Sequence, residues 1–327
     1  MDMMETCGTT VSDYKAWRGK KIAASDIGGA SDPSFEMLPT SKRRRVSRKE
    51  ILEKKKAIDA VIKAALAEKD PLSSLPAFCC YHHDVWRPNS MSHVCYDIQS
   101  VWRPNSFLDF SACLGSGHGD ELSHSVKKYI QNLLKINMEG PYGSEWPVEE
   151  KIKRREMVAG EARYVFAYEA FNANACESST TSEVERGFTN CPADRGPLVG
   201  FVHYRFVIEE ELPVLYVYEL QLESRVQGKG LGKFLMQLIE LIAQKALIEQ
   251  FHLLQNHMTA VLLTVQKANL GAINFYMSKM RYVVSTTSPS RVDSSNQKSY
   301  EILCKTFDRE ASAIFTDENV GSEFLNL

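Results

Sequence analysis

No apolar run in the 327 residues approaches the roughly 20 needed to cross a bilayer as a helix, so no membrane partner is expected. The N-terminal residues lack a signal-peptide core. Cysteine is present eight times, at Cys7, Cys79, Cys80, Cys95, Cys113, Cys176, Cys191 and Cys304, yet never as Cys-x-x-Cys, which points to reduced thiols rather than a redox pair or an ordinary zinc site. Cys79, Cys80, His82, His83, His93 and Cys95 crowd together with a spacing that fits no ordinary finger, so no metal is expected. An excess of one charge is also missing: 39 Lys and Arg stand against 41 Asp and Glu, a formal net charge of −2. No Gly-x-x-x-x-Gly-Lys-Ser/Thr loop occurs, and no acid closes a strand after the glycine-rich turn. NTP and NAD are therefore poor ligands. At 44% apolar and 24% charged residues, the chain suits one good core with extensions.

What is present is concentrated in Val214 to Phe234, VLYVYELQLESRVQGKGLGKF. Strict alternation predicts a strand with Tyr216, Tyr218, Leu220 and Leu222 on one face and Leu215, Val217, Glu219, Gln221 and Glu223 on the other. That places Glu219 mid-strand among apolar neighbours, where a general base is expected. Gln227, Gly228, Lys229, Gly230, Leu231 and Gly232 follow, before a helix expected to begin near Lys233. Glycines permit positive φ and close backbone approach, and the first-turn N–H groups of a helix point at an anion. Taken alone, such a turn reads more readily as a plain strand-to-helix connection. Downstream, Phe234, Leu235, Leu238, Ile239 and Ile242 make an apolar helical stripe. Val261 to Val265 reads as a buried strand, Asn269 to Met280 as a second helix, and Tyr282 to Thr286 and Ser299 to Thr306 as two more strands.

Gln227-x-x-Gly230-x-Gly232 resembles the Gln/Arg-x-x-Gly-x-Gly/Ala signature of the GNAT acetyltransferase superfamily, and the order of elements around it matches the acyl-CoA half of that fold. The resemblance implies an α/β (α+β) GNAT acyl-CoA N-acyltransferase fold, a mixed central sheet flanked by helices, here with an N-terminal helical extension. It implies acetyl-CoA as co-substrate, held by the loop from Gln227 to Lys233 and by Leu220, Gln221 and Leu222, whose backbone would also meet the thioester oxygen. Asn269 and Tyr276 complete that set. Their bland roles are a helix N-cap and core packing, the latter favoured for Tyr276.

LYVYELQLESRVQGKGLGKFL, LLTVQKANLGAINFY, SPS and SYEIL, with YGSEWPVEEKIKRREM upstream, are similar to blocks of the NatD-type N-alpha-acetyltransferases, which modify the N-termini of core histones. The similarity runs from about Lys49 to Phe307. It implies direct acetyl transfer to the α-amine of histone H4 and the related A-type histone two, whose tails begin Ser-Gly-Arg-Gly. Carried over by position, Glu219 matches the candidate base, with Tyr218 beside it as the second candidate catalytic residue. Tyr142 and Trp146 match an aromatic pair at the peptide entry, Tyr216 a cleft tyrosine, and Thr264 and Tyr300 positions near the bound N-terminus. Glu209 matches one acid that receives a substrate arginine, whereas Val207 stands where the other is expected. Glu210 and Glu211 offer compensation, although a short charge run is usually a solvated turn. Tyr216, Tyr218 and Trp146 equally suit core packing.

The expected organisation is a disordered tail over 1–40, a basic segment and helix over 41–70, the acetyltransferase domain over 71–307, and a flexible tail over 308–327. Loop insertions are expected near 79–106, where VWRPNS occurs twice, and near 172–197; another loop is expected from Ser285 to Lys298. Lys49 to Glu68 has a helical stripe of Ile51, Leu52, Ala57, Ile58, Val61, Ile62 and Leu66. The basic run from Ser41 to Lys56 reads as a nuclear import signal, part of a helix, or a nucleic-acid arm. The expected setting is nucleus and cytoplasm, as a monomer whose partner is the histone tail, with no direct nucleic-acid binding.

Overall fold

The computed structural model describes residues 48–82, 110–170, 195–245, 257–292 and 298–316. Both copies of VWRPNS, His83, His93, Cys95, the tail over 1–40 and positions 172–194 lie outside these. Among the described residues no group of His, Cys, Asp or Glu is placed to hold a metal ion.

Alternating apolar positions build an eight-stranded sheet. In chain order the strands are β1 (Cys80–His82), β2 (Ser111–His118), β3 (Arg163–Ala170), β4 (Arg195–Glu209), β5 (Leu212–Leu222), β6 (Ala260–Gln266), β7 (Val283–Val284) and β8 (Tyr300–Thr306). Across the sheet they run β1-β2-β3-β4-β5-β6-β8-β7. Every pairing is antiparallel except β5 with β6. A parallel pair needs a long crossover, and α4 (Leu231–Lys245) lies between these two strands in sequence.

Helices cover both faces. α1 (Arg48–Ala67) buries Ile58, Val61 and Ala65, and α4 buries Phe234, Leu235, Leu238, Ile239 and Ile242, on a core that takes in Leu215 and Val217. The other face carries α2 (His124–Tyr142) and α3 (Trp146–Glu156), which place Ile130, Leu133 and Trp146 against Tyr164, Phe166 and Phe201. Further along that face, α7 (Arg309–Phe315) seats Ala311 and Phe315 beside Val214, Tyr216, Leu262 and Ile302. Two short helices, α5 (Leu270–Asn274) and α6 (Pro289–Val292), complete the set, α5 running on into a π turn over Phe275–Lys279.

Several expectations are corrected. The helical stripe predicted for α1 is only half used: Ile51 and Leu52 are 57% and 53% exposed, because the first two turns run past the edge of the core. α4 begins at Leu231, two residues before Lys233. The stretch from 308 does not start as a flexible tail. Asp308 caps α7 by accepting the Ala311 N–H at 2.8 Å, and Phe315 is fully buried. Nor is Ser285 the start of an open loop, since Ser285 and Ser288 are buried and the Ser288 hydroxyl takes the Ile302 N–H at 2.9 Å. β1, β2 and α2 were not anticipated at all.

Candidate active site

Strict alternation in β5 holds only as far as Val217. His203 of β4 pairs with Glu219 and Tyr204 with Val217, so Tyr218 is an extra residue on β5, a β-bulge. A one-residue insertion exchanges the faces beyond it. Before the bulge Leu215 and Val217 belong to the α1/α4 core; after it Leu220 packs against that core and Leu222 is part of it. Glu219 and Gln221 therefore point to the opposite face from the one simple alternation assigns. The bulge also ends the parallel pairing, which joins β5 to β6 only from Val214 to Val217 against Ala260 to Leu263. Past that seam the two strands part.

A cavity of about 70 Å³ opens in this gap, walled by Val217 to Gln221 on one side and Leu263 to Gln266 on the other. That space suffices for ordered water and a few heavy atoms. Tyr142 from the end of α2, Tyr300 from β8 and Tyr276 from the π turn add their aromatic rings. Burial pushes the Tyr276 phenol well above its ordinary range, so it stays protonated. The Thr264 hydroxyl lies 2.5 Å from that of Tyr216. Tyr216 itself is 3% exposed and packs into the cluster with Phe315, and only its hydroxyl end reaches the cavity's neighbourhood through Thr264.

Glu219 is 6% exposed, but its neighbours are not the apolar ones the sequence suggests. Lys153 of α3 forms an ion pair with its Oε1, and the Gln221 amide donates to Oε2 at 2.9 Å. Burial alone would favour neutral lysine; the Glu219 carboxylate outweighs it and holds the Lys153 ammonium well above its usual range. Its Nζ also sits 5.6 Å over the Tyr142 ring. Tyr218 lies between two β4 side chains, with the Arg205 guanidinium 4.6 Å over its ring and the His203 ring at 4.9 Å. Lys153, Arg205 and His203 escaped the sequence reading. Lys153 left a faint trace, as one of three helix-spaced charges, Glu149, Lys153 and Glu156, that all face the cavity.

The glycine turn takes the shape an anion requires. Gly228 and Gly230 have φ of +74° and +85°, and a Cβ on Gly228 would meet nothing within 4 Å. The Phe234 N–H is the first to bond back, to Gly230 O at 3.1 Å. The N–H groups of Leu231, Gly232 and Lys233, in the first turn of α4, precede the first intrahelical bond, as those of an anion-binding helix start do. Gln227 and Asn137 both donate to Leu222 O, at 2.9 and 3.1 Å, and Tyr81 of β1 donates to Lys229 O. Gln227 thus braces the turn. These residues fit the pyrophosphate and thioester arms of acetyl-CoA. Asn269 lines the cavity while its side chain caps α5, accepting the Ala272 N–H at 3.1 Å.

Two proposed substrate residues stand elsewhere. Trp146, 3% exposed, lies with its ring tilted at 5.9 Å from that of Tyr142, in the core behind it. Glu209 pairs with Leu212 at the far end of the β4–β5 hairpin, roughly 20 Å along the strand from Glu219 at about 3.3 Å per residue. Glu210 and Glu211 are the two-residue loop itself, both with positive φ, 46° and 59°, as a tight hairpin of this twist demands. Val207 packs against the Leu212 cluster. Glu209 ends the strand, Glu210 and Glu211 are committed to the turn, and none of the three lines the cavity.

Residues 163–280 match the family model described as the acetyltransferase (GNAT) family. That GNAT match runs from the first residue of β3 to Met280, after the π turn, and so contains the bulge, the gap and the glycine turn. α2 and α3, which bring Tyr142 and Lys153, lie outside it. Solved structures similar to this chain include Arabidopsis thaliana NAA60 in complex with a bisubstrate analogue, at 12% identity, covering 60% of this chain and 99% of that one, with a TM-score of 0.36. Arabidopsis thaliana Naa50 in complex with the bisubstrate analogue CoA-Ac-MVNAL is similar at 14% identity, 59% and 99% coverage and a TM-score of 0.33. The NatC complex bound to Gag peptide and CoA is similar at 13% identity, 60% and 99% coverage and a TM-score of 0.34.

Proposed function

We propose that this protein transfers acetyl from acetyl-CoA to the N-terminal α-amine of a protein, a histone tail beginning Ser-Gly-Arg-Gly being the favoured acceptor, and that it acts as a monomer in nucleus and cytoplasm. One observation carries the reading: the bulge at Tyr218 parts β5 from β6 and turns Glu219 into the gap, on the same strand that leads to the glycine turn. The NatD-type resemblance of that strand supplies the acceptor.

Bound acetyl-CoA supplies a thioester whose C–S bond is exchanged for the new C–N bond, the sulfur leaving as thiolate. The chain's own residues do the rest. The glycine turn and the first turn of α4 hold the diphosphate, and backbone N–H groups of β5 near Leu220 to Leu222 face the polarised carbonyl. Glu219 accepts, through water, the proton the amine gives up. An α-amine, with a pKa near 7.7 to 8.0, costs only about 1 kcal/mol to deprotonate at pH 7, against about 4.6 for a lysine. A weak base therefore serves an N-terminus and not a side chain.

The test offers acetyl-CoA and three peptides: SGRGK with a free N-terminus, the same peptide blocked, and one with its arginine replaced by alanine. Label on the free peptide, reduced on the alanine peptide, supports the reading, with Glu219→Gln slowing kcat about 10²-fold or more. Label on the blocked peptide replaces it with a lysine or small-amine acetyltransferase. Acetyl-CoA binding without label on any peptide leaves a silent binding module. Equal rates on the arginine and alanine peptides remove the histone assignment while keeping α-amine transfer, the outcome to which Val207 and the distant Glu209 are most exposed.

A further inference from the structure

We propose that Lys153 is a positioning residue of this site, holding the Glu219 carboxylate charged and fixed in plane for its proton-accepting role; this rests on the reading of Glu219 as that acceptor. The ion pair is buried, with side chains 10% and 6% exposed. Replacing a buried ion pair by apolar residues of similar volume is often neutral or stabilising, so fold stability does not account for keeping one here. Location does. Lys153 and Glu219 both line the gap between β5 and β6, and Lys153 is brought there by α3, whose Trp146 anchors it in the core.

A carboxylate has about four lone-pair positions on two oxygens. Lys153 takes one on Oε1 and the Gln221 amide takes one on Oε2, which fixes the plane of the group and leaves further acceptor positions for water or amine. Gln221 is itself held, its Oε1 receiving the Asn137 amide at 3.0 Å. The same amide donates to Leu222 O, which Gln227 of the glycine turn also engages. A continuous polar chain thus runs from Lys153 to the turn that holds the diphosphate. The other groups around this pair are Tyr142 beneath the ammonium, Glu149 and Glu156 on α3, Tyr164 on β3, Arg205 and the neutral His203 on β4, and Tyr276 on the π turn. Among them Lys153 alone makes a hydrogen-bonded ion pair with Glu219 in the described residues.

Lys153→Met and Lys153→Arg in the full chain test the assignment, beside Glu219→Gln and the double variant Lys153→Met with Glu219→Gln. Lys153→Met is expected to lower kcat about 10²-fold, keep the acetyl-CoA Kd within about threefold, and move the acid limb of the pH–rate profile upward by at least about one unit. Lys153→Arg restores at least about tenfold of the loss, and the double variant is no slower than Glu219→Gln alone. A purely structural lysine would lower the melting temperature and leave the acid limb in place, which overturns the proposal, as would additive losses in the double variant. A slow Lys153→Met beside an unaffected Glu219→Gln also overturns it, since Lys153 would then act without Glu219. Carboxylate ¹³C NMR of Glu219 gives a readout independent of turnover: in Lys153→Met its titration moves to higher pH. Should no peptide be labelled by the wild type, the acetyl-transfer reading fails, and this titration alone decides whether Lys153 holds Glu219 charged.

Discussion

His203 is 1% exposed and packed between Tyr164, stacked on it at 5.0 Å, and Tyr218, tilted at 4.9 Å. Burial, with the Arg205 and Lys153 cations nearby, pulls its pKa well below the ordinary value, so the folded protein holds it neutral. The unfolded chain takes up that proton first as pH falls. The stability conferred by neutral His203 is therefore complete above about pH 6.5 and declines below it, by up to about 1.4 kcal/mol per pH unit for one proton. Urea midpoints between pH 7 and 5 should fall more steeply for the wild type than for His203→Phe; parallel slopes would show that another group controls the acid limb. At this scale the sequence was informative about chemistry and poor about neighbours. Glu219 is marked out by its place in an apolar strand, whereas Lys153 lies 66 residues earlier on a helix whose charged residues look like a solvated face. Contacts across such a distance are set by packing and leave no local pattern.

The glycine turn separates two roles that its spacing presents as one. Gly230 is required by its own backbone: φ is +85° and a Cβ would fall 2.7 Å from the Tyr81 hydroxyl. Gly232 has no such constraint, since its Cβ would make ordinary contacts at 3.6 Å with Leu222 and Phe275. Gly230→Ala should lower both the melting temperature and acetyl-CoA affinity. Gly232→Ala should leave the melting temperature unchanged or raise it slightly, a helix preferring Ala over Gly, and keep acetyl-CoA affinity within about threefold, because the added methyl group would face Leu222 and Phe275 and not the anion. Calorimetry and thermal melts on the pair would show it; an affinity loss in Gly232→Ala as large as in Gly230→Ala would mean that position 232 also needs a bare backbone. Strand, turn and helix here were legible because alternation, glycine spacing and an apolar stripe are local signals. The bulge was not, because the residue that makes it, Tyr218, continues the alternation perfectly and is displaced only by its pairing with β4. The hairpin acids misled for a similar reason: three carboxylates look like a binding patch until two of them are needed as the loop.

Across the whole molecule, the C-terminal residues from 308 belong to the core more than their polarity suggests. Phe315→Ala should cost about 3–5 kcal/mol, read from urea denaturation, and removal of 309–327 at least as much; a loss below about 1 kcal/mol would mean that α7 is dispensable. Polar composition hid this helix because only Ala311 and Phe315 carry its burial. The sheet around it is less uniform than its single order of strands implies. β2 to β5 are joined by long antiparallel ladders, β6 and β8 by another, and the two groups meet along four residue pairs, Val214 to Val217 against Ala260 to Leu263. So short a seam divides the domain into two blocks that need not open together. Amide hydrogen exchange would then report two opening free energies in the protein alone, the block of β6, β8 and α7 being the less protected. A ligand spanning the gap ties the blocks together, and saturating acetyl-CoA should bring the two exchange classes toward one, so that occupancy of the site is written into the cooperativity of the entire sheet.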